Sequence, residues 1–343
     1  MFLEFFGLRE QPFGVSPDPR YLYLGPAHRE ALASLYYGVE ANRGFLSLIA
    51  RPGMGKTTLL FHLLAKFEHT ARTAFLFQTQ CSSREFMRFL LAEIGIESDP
   101  QDFVRMNEQF NRCLVQEARA GRRFIVVIDE AQNLDASVLE TVRLLSDFET
   151  PQAKLLQIIL VGQPTLADKL ASPTLVQLRQ RITSVSGLNP LGRDEIARFI
   201  SHRLRVAGYK GNSLFSAEGL DLIAELSEGI PRQINNYCFH ALSLACAMRQ
   251  KTVDSAMVRE VANDLDIHRF VTEVGSLSIR HTSPWAPNAD PFHPVESVGD
   301  GRDHSTPKGN GGQDSLSPAD AVEHMREVAR QLHNWRNGMG RPA

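Results

Sequence analysis

Short apolar runs alternate with segments of helical spacing over residues 27–190. Two of these runs, Phe124–Ile128 and Leu155–Val161, are almost wholly apolar, as is typical of central strands in a parallel sheet. Phe45–Ile49 and Thr73–Gln78 predict two more strands, and the intervening segments carry apolar residues at helical spacing. Strands that alternate with helices predict an α/β fold, a three-layer αβα arrangement in which helices cover both faces of a parallel sheet.

The strand signal stops after Pro190. Four helical patterns follow and predict a small all-helical lid domain, at about 193–207, 216–228, 231–249 and 254–266. Residues 1–26 are rich in aromatic residues and prolines and predict an irregular N-terminal segment. The predicted organisation is an N-terminal segment (1–26), an α/β domain (27–190), a helical lid domain (191–268), a linker (269–317) and a C-terminal helix (318–337).

The linker and the C-terminal helix are predicted from a change in composition. Residues 269–317 are rich in Pro, Gly, His, Asp and Ser and poor in aliphatic residues, which predicts disorder. Ser317 and Pro318 then form a helix start, and the helix that follows has an apolar face ending at Trp335. Such a helix suits a groove on a partner protein or an anionic membrane surface, and an idle tail helix is the alternative.

The composition is that of an ordinary soluble globular protein, with 43% hydrophobic and 22% charged residues. The net charge of -2 gives no general reason to expect nucleic acid as a partner. The four cysteines lack zinc-site spacing and fit a reducing compartment. Neither a signal peptide nor a membrane span is expected, so the predicted location is the cytoplasm, or the inner face of the membrane through partners.

A phosphate-binding motif follows the first predicted strand. Residues Ala50–Thr57 read ARPGMGKT and lie between a strand and a helix, which is the context that a P-loop requires. Its glycines let backbone N–H groups surround phosphate oxygens, and its lysine reaches the β- and γ-phosphates. Ala50 replaces the first glycine of the usual pattern, at the position that closes the strand. The predicted nucleotide contacts for ATP with Mg²⁺ are Pro52, Gly53, Met54, Gly55, Lys56, Thr57, Thr58 and Asp129.

Two carboxylates end the apolar strand about seventy residues later. If this strand lies beside the P-loop strand, Asp129 holds Mg²⁺ through water and Thr57 provides the other metal ligand. Glu130 then orients and deprotonates the attacking water. Acidic residues that cap a helix after a buried strand are the alternative, but an upstream P-loop favours nucleotide hydrolysis.

Three further sites carry side chains that could respond to the γ-phosphate. Gln163 follows the next strand and is a sensor candidate, with a simple loop glutamine as the alternative. Arg181, with Arg179 as its rival, ends a helix and could reach the site of a neighbouring subunit. Arg232, in the segment Gly229-Ile230-Pro231-Arg232, starts a lid helix and could contact the γ-phosphate from the lid. Ordinary surface or helix-start arginines are the alternatives for these positions.

These motifs, in this order, resemble AAA+ ATPases and, more closely, the ExeA (general secretion pathway protein A) family. The residues that carry this resemblance are Phe5-Phe6-Gly7-Leu8, Pro12-Phe13, Ser16–Tyr23, His28, Ala31-Leu32, Tyr37-Gly38, Leu156–Pro164 and Leu178–Arg181. The resemblance covers about residues 1–266 and implies that residues around Pro17 to Leu22 lie near the adenine base. The family's namesake has a membrane helix and a peptidoglycan-binding region after its ATPase part. The remainder of this chain predicts only the linker and the C-terminal helix.

Three hypotheses about what the chain does with ATP remain open. The first is a homo-oligomeric ATPase that serves assembly of a secretion or envelope-export system and docks through its C-terminal helix. The second is a DNA-binding oligomeric ATPase similar to the transposition regulators TniB and TnsC. It needs a basic stripe, and the lid offers Arg198, Arg203, Arg205 and Lys210, which otherwise form a solvated helix face. The third is a nucleotide-dependent scaffold that hydrolyses ATP slowly or not at all.

Overall fold

The structure, a computed structural model, describes residues 2–77, 80–97, 102–149 and 154–265. These residues form a five-stranded sheet in the order β2-β3-β4-β1-β5, and every strand pairing in it is parallel. The strands are β1 (Phe45–Ile49), β2 (Ala71–Leu76), β3 (Arg123–Ile128), β4 (Gln157–Gly162) and β5 (Ile182–Gly187). The predicted α/β class and parallel sheet are therefore confirmed.

The central strands are the apolar runs that the sequence shows. Side chains of β3 and β4 are buried almost throughout, because helices cover the sheet on both sides. Strand β4 lies between β1 and β3. The expectation that the carboxylate-bearing strand lies directly beside the P-loop strand is therefore wrong. The carboxyl ends of all three parallel strands still meet at one edge of the sheet.

Helices α4 to α8 pack on one face of the sheet, and α2 and α3 pack on the other. Phe124, Val126 and Ile128 belong to the core on the first side, whereas the alternate residues of β3 point to the second side. This arrangement confirms the three-layer sandwich. The helices are α2 (Pro26–Glu40), α3 (Lys56–Ala65), α4 (Ser83–Glu93), α5 (Phe103–Arg119), α6 (Ala136–Leu145), α7 (Pro164–Leu170) and α8 (Val176–Arg181).

The lid domain consists of helices with a separate apolar core. They are α9 (Arg193–Val206), α10 (Ala217–Ser227), α11 (Pro231–Ala247) and α12 (255–265). Each helix buries an apolar stripe of 3.6-residue period, as the sequence predicts. The start of α11 at Pro231 agrees with the preference of proline for the first helical turn.

The N-terminal segment packs on the lid core rather than on the sheet, and it is not wholly irregular. Helix α1 (Phe2–Phe6) and a 3₁₀ turn at Pro19–Tyr21 correct that expectation. A five-residue helix is too short to be stable in isolation. Its buried Phe2 and Phe6 hold it against the lid, with the Phe2 ring edge-to-face to Phe239 at 5.7 Å.

Several predicted features lie outside the described residues. They are the last residues of the lid domain (266–268), the linker (269–317) and the C-terminal helix (318–337). Within the described ranges, none of the helices combines the length and the hydropathy that crossing a bilayer demands.

Candidate functional site

The P-loop connects β1 to α3 at the carboxyl edge of the sheet. Gly53 (φ 79°) and Gly55 (φ 84°) both adopt the left-handed conformation that favours glycine. A Cβ on Gly53 would also lie 2.8 Å from the Cβ of Arg232, so this turn and the start of α11 fit closely together. As expected, Ala50 closes the strand, where its N–H donates to the carbonyl of Gly162 at 3.1 Å.

Lys56 is the first residue of α3 and is only 6% exposed. Its Nζ donates to the carbonyl oxygens of Ala50 at 3.0 Å and Arg51 at 3.4 Å. Burial lowers the pKa of the Lys56 amine, and the carboxylates of Glu130 and Asp129 act against that shift. Because uncharged carbonyls hold this amine, phosphate oxygens would be stronger partners for it.

Thr57 and Asp129 are joined across the P-loop and β3. The Thr57 hydroxyl donates to Asp129 Oδ2 at 2.9 Å, and the Glu130 N–H donates to Asp129 Oδ1 at 2.9 Å. Asp129 is 4% exposed, and burial raises the pKa of its carboxyl against these two hydrogen bonds. A buried carboxylate paired with a hydroxyl beside a lysine is a suitable oxygen ligand set for Mg²⁺.

Glu130 and Gln163 meet at the tips of β3 and β4. Gln163 Nε2 donates to Glu130 Oε2 at 3.0 Å, and Gln132 Nε2 donates to the same oxygen at 2.5 Å. The Glu130 backbone is left-handed, with φ 51°. The structure therefore brings the predicted base and the predicted sensor into direct contact. We use the name phosphate end for Pro52–Thr58, Asp129 and Glu130, together with Gln163 at the neighbouring strand tip.

His28 on α2 contacts the P-loop through its imidazole ring. Its Nε2 donates to the carbonyl of Met54 at 3.1 Å, and the Met54 side chain is fully buried. Its Nδ1 is buried and has no hydrogen-bond partner among the described residues. Burial lowers the pKa of His28, so its neutral form is favoured. In the sequence, His28 is only one of the residues that carry the family resemblance. The structure gives this histidine a role, because its ring donates a hydrogen bond to the P-loop.

Arg232 lies where the lid meets the P-loop. Its backbone N–H donates to the carbonyl of Gly53 at 3.1 Å, and its side chain lines the cleft with Lys56. Arg51 and Glu228 form a second, exposed contact between loop and lid at 3.9 Å. The structure thus places Arg232 at the mouth of the P-loop, as the helix start at Pro231 predicts.

The cleft continues from the P-loop between the N-terminal segment and the lid. We call this part the lid end, and its lining consists of residues 14–18 and 21–23 with Leu191, Phe199, Arg203, Asn235 and Asn236. The ring of Tyr21 is buried here. The Oδ1 atom of Asn235 is buried without a hydrogen-bond partner among the described residues, so a polar acceptor is available in this wall.

Arg203 is the cationic residue in the described lining of the lid end, and its placement corrects the expectation of a solvated basic helix face. Its guanidinium lies 4.8 Å from the centroid of the Tyr21 ring, and its Nε donates to the Pro12 carbonyl at 2.6 Å. Burial lowers the pKa of Arg203 to about 10. Arg203 therefore does not belong to a solvated basic face, whereas Arg198 and Arg205 are exposed as expected.

The two candidate arginines of α8 lie away from the cleft of their own chain. Arg181 forms an ion pair with Asp147 at 2.5 Å and donates to Ser146 Oγ at 2.9 Å. Arg179 is exposed, and its Nη1 donates to the Ala171 carbonyl at 3.3 Å. As predicted, both residues end a helix that precedes a strand. Neither lines the cleft described above, so a role at a phosphate would require a second copy of the chain.

Sequence reasoning missed three contributors to the site, Gln132, Lys169 and Arg203. A signal existed for Arg203, because it lies four residues after Phe199 and seven after Ile196, on the buried stripe of α9. Gln132 follows Glu130 by two residues, but nothing in that spacing shows which way its side chain turns. Lys169 is distant in sequence from the loop after β3, where its Nζ donates to the carbonyl oxygens of Gln132 and Leu134.

The chain is similar in sequence to a known domain family and to two known proteins. A family described as an AAA domain matches residues 39–170. General secretion pathway protein A of Aeromonas hydrophila is 39% identical over 248 residues, which cover 72% of this chain and 45% of that protein. An uncharacterized HTH-type transcriptional regulator of Methanocaldococcus jannaschii is 30% identical over 166 residues, which cover 47% of this chain and 38% of the regulator. The chain thus spans less than half the length of these relatives.

The fold is also found among solved structures. The ORC2 protein of Aeropyrum pernix superposes with a TM-score of 0.59 at 17% identity and covers 74% of this chain and 71% of its own. At that identity the likeness concerns the fold alone. Together with the matched domain, it confirms the P-loop NTPase architecture expected from the sequence.

Proposed function

Because the chain carries an AAA domain related to that of General secretion pathway protein A, we propose that it binds ATP with Mg²⁺ and hydrolyses the nucleotide. The observation that carries the proposal is the 2.9 Å contact between Thr57 and Asp129. These residues are 72 positions apart in sequence, yet the fold brings them together next to Lys56. A site for a nucleoside triphosphate requires a hydroxyl, a buried carboxylate and an amine at a glycine-rich helix start.

Each residue then has a role that follows from its position. Backbone N–H groups of residues 53–58 and the Lys56 amine would bind the phosphates, while Thr57 and Asp129 would hold Mg²⁺. Mg²⁺ held by these two residues would screen the negative charge of the phosphate oxygens. Glu130 accepts a proton from the attacking water, and Gln163 senses the γ-phosphate from the tip of β4. Arg232 lies at the junction of loop and lid, where loss of the γ-phosphate would change the lid position.

The adenine base of ATP is proposed to bind at the lid end of the cleft. Residues around Pro17 to Leu22 line it, and a flat aromatic and cationic surface is available from Tyr21 and Arg203. Aromatic rings and guanidinium groups both stack on planar bases. This arrangement supports the role that the family resemblance implies for the N-terminal segment.

Catalysis by an oligomer follows from the position of the α8 arginines. Since Arg179 and Arg181 lie away from the cleft of their own chain, one of them is proposed to act in the site of a neighbouring copy. Arg181 would first have to leave Asp147, whereas Arg179 is already exposed. ATP binding and hydrolysis would then directly change how copies of the chain associate.

The partner system that we propose is one of secretion or envelope export. This rests on the 39% identity to General secretion pathway protein A. DNA is the alternative partner, and the similarity to a relative named as a transcriptional regulator is the observation in its favour. The structure weakens the basic stripe that this alternative needs, because Arg203 is turned inward against Tyr21. A DNA shift assay over a salt series separates the two, since phosphate contacts weaken steeply with salt.

The central experiment compares the wild-type chain with Glu130→Gln. We expect Mg²⁺-dependent ATP binding by both proteins and a loss of turnover on the order of 10²- to 10⁴-fold in the variant. Turnover per chain should rise with protein concentration if an arginine is supplied by a neighbour. Absence of Mg²⁺-dependent binding would contradict the proposal. If neither protein turns over ATP measurably, only the nucleotide-dependent scaffold remains. Equal and measurable turnover of both proteins would show that Glu130 is not the general base.

A further inference from the structure

We propose that Gln132 is a positioning residue for hydrolysis: its side-chain amide fixes the Glu130 carboxylate to the tip of β4. Loss of this amide should slow the hydrolytic step without weakening nucleotide binding. The inference rests on the proposed function, in which Glu130 accepts a proton from water.

The Gln132 amide makes two hydrogen bonds, one as a donor and one as an acceptor. Its Nε2 donates to Glu130 Oε2 at 2.5 Å, and its Oε1 accepts from the backbone N–H of Gln163 at 3.1 Å. One planar group therefore joins the strand tip that carries the base to the strand tip that carries the sensor. Because both ends of the amide are used, only a side chain with a donor and an acceptor at this separation can replace it.

The fold leaves room for this amide in a specific way. A Cβ on Gly162, the last residue of β4, would lie 2.7 Å from Gln132 Oε1, closer than real contacts allow. Glycine at this strand end therefore lets the Gln132 side chain reach the Gln163 N–H. A side chain at position 162 would compete with the amide for this space.

The backbone of Gln132 is held as well. Lys169 on α7 donates from Nζ to the carbonyl oxygens of Gln132 at 2.6 Å and of Leu134 at 2.8 Å. Helix α7 begins directly after Gln163, so Lys169 ties the loop after β3 to the same element. Gln132 is thus anchored through its side chain and through its main chain.

This anchoring explains how Glu130 keeps an unfavourable conformation. A residue with a side chain rarely adopts the left-handed φ of 51° seen at Glu130, so neighbouring contacts must hold it there. The amides of Gln132 and Gln163 both converge on Oε2. Oε1 is therefore the oxygen that can accept a proton from water, and Gln132 determines which way it faces.

The experiment uses the full chain and replaces Gln132 by methionine, which keeps the length and removes both hydrogen-bonding groups. Asn133→Met is the matched control, because Asn133 is the next residue in the same loop and is exposed. We expect kcat of Gln132→Met to fall about 10- to 100-fold, the usual effect of losing a group that orients a reactive residue. The KM and Kd for ATP should stay within roughly two-fold, and Asn133→Met should turn over like the wild type.

A double-mutant cycle separates positioning from a general structural role. In the Glu130→Gln background no carboxylate remains to be oriented, so adding Gln132→Met should not slow the residual rate further. The inference is overturned if Gln132→Met hydrolyses ATP at the wild-type rate or faster. It is also overturned if the variant loses nucleotide affinity together with rate, or if the two substitutions slow turnover independently. If wild type and Glu130→Gln turn over equally, the proposed function itself fails, and this inference fails with it.

Discussion

At the phosphate end of the cleft, the side chains come from the P-loop and from the tips of β3 and β4, and all of them except Gln163 belong to two short motifs in the sequence. At the lid end, the lining comes from the N-terminal segment, α9 and α11, which are separated by up to about 200 residues of chain. The phosphate end offers backbone N–H groups and charged side chains, whereas the lid end offers ring faces and the partly buried guanidinium of Arg203. The two ends should therefore respond differently to mutation and to the number of phosphates on the ligand.

The largest effect is expected from Lys56→Met at the phosphate end. The variant loses a buried charge that faces the phosphates, so affinity for ATP should fall on the order of 100-fold, as for a lost charge-assisted hydrogen bond. Affinity for AMP should change little, because its single phosphate lies farther from this amine. Titration with ATP, ADP and AMP measures the difference. An equal loss for all three nucleotides would mean that the loop had unfolded.

A smaller and more uniform effect is expected from Arg203→Met at the lid end. Methionine keeps the packing of the side-chain stem but loses the contact with the Tyr21 ring, so ATP, ADP and AMP should all bind about 10-fold more weakly. Arg205→Met is the matched control, since Arg205 lies on the same helix and is exposed. If Arg203→Met lowered ATP affinity alone, the lid end would be sensing phosphates, and the proposed division of the cleft would be wrong.

The smallest effect concerns the pH dependence of stability through His28. Burial lowers the pKa of His28 in the folded chain, so the unfolded chain binds a proton more readily and stability falls as the pH drops through about 6.5. His28→Gln keeps a donor for the Met54 carbonyl but does not titrate. The variant should lose less Tm than the wild type between pH 7.5 and 5.5, by a few degrees at most. His62 and His202, whose pKa values are also lowered by burial, contribute equally to both proteins.

Equal pH dependence of both proteins would contradict this prediction, because it would show that His28 binds a proton as readily in the folded chain as in the unfolded chain. The measurement therefore tests whether burial next to the P-loop keeps His28 uncharged in the folded chain. Thermal unfolding followed at several pH values, with the same buffer series for both chains, is sufficient.

The sheet illustrates why the strands could be predicted from the sequence and their order could not. Apolar runs of five or six residues predict buried strands, since both faces of a covered parallel sheet exclude water. The same runs do not say which strand lies between which. The placement of β4 between β1 and β3 depends on how the helices pack, and the expected adjacency of β1 and β3 was wrong for that reason.

The sequence by itself predicted the residues that meet at the phosphate end, because a P-loop and a strand-end carboxylate pair are local patterns whose backbone geometry follows from their residues. It also determined the parallel α/β class and the helical lid, through the periods of apolar residues. Only the tertiary structure decided that Gln132 bridges two strand tips, that Lys169 anchors its backbone and that Arg203 turns inward onto Tyr21. Those contacts join distant parts of the chain, and the direction of each side chain is set by packing against neighbours that local sequence does not name.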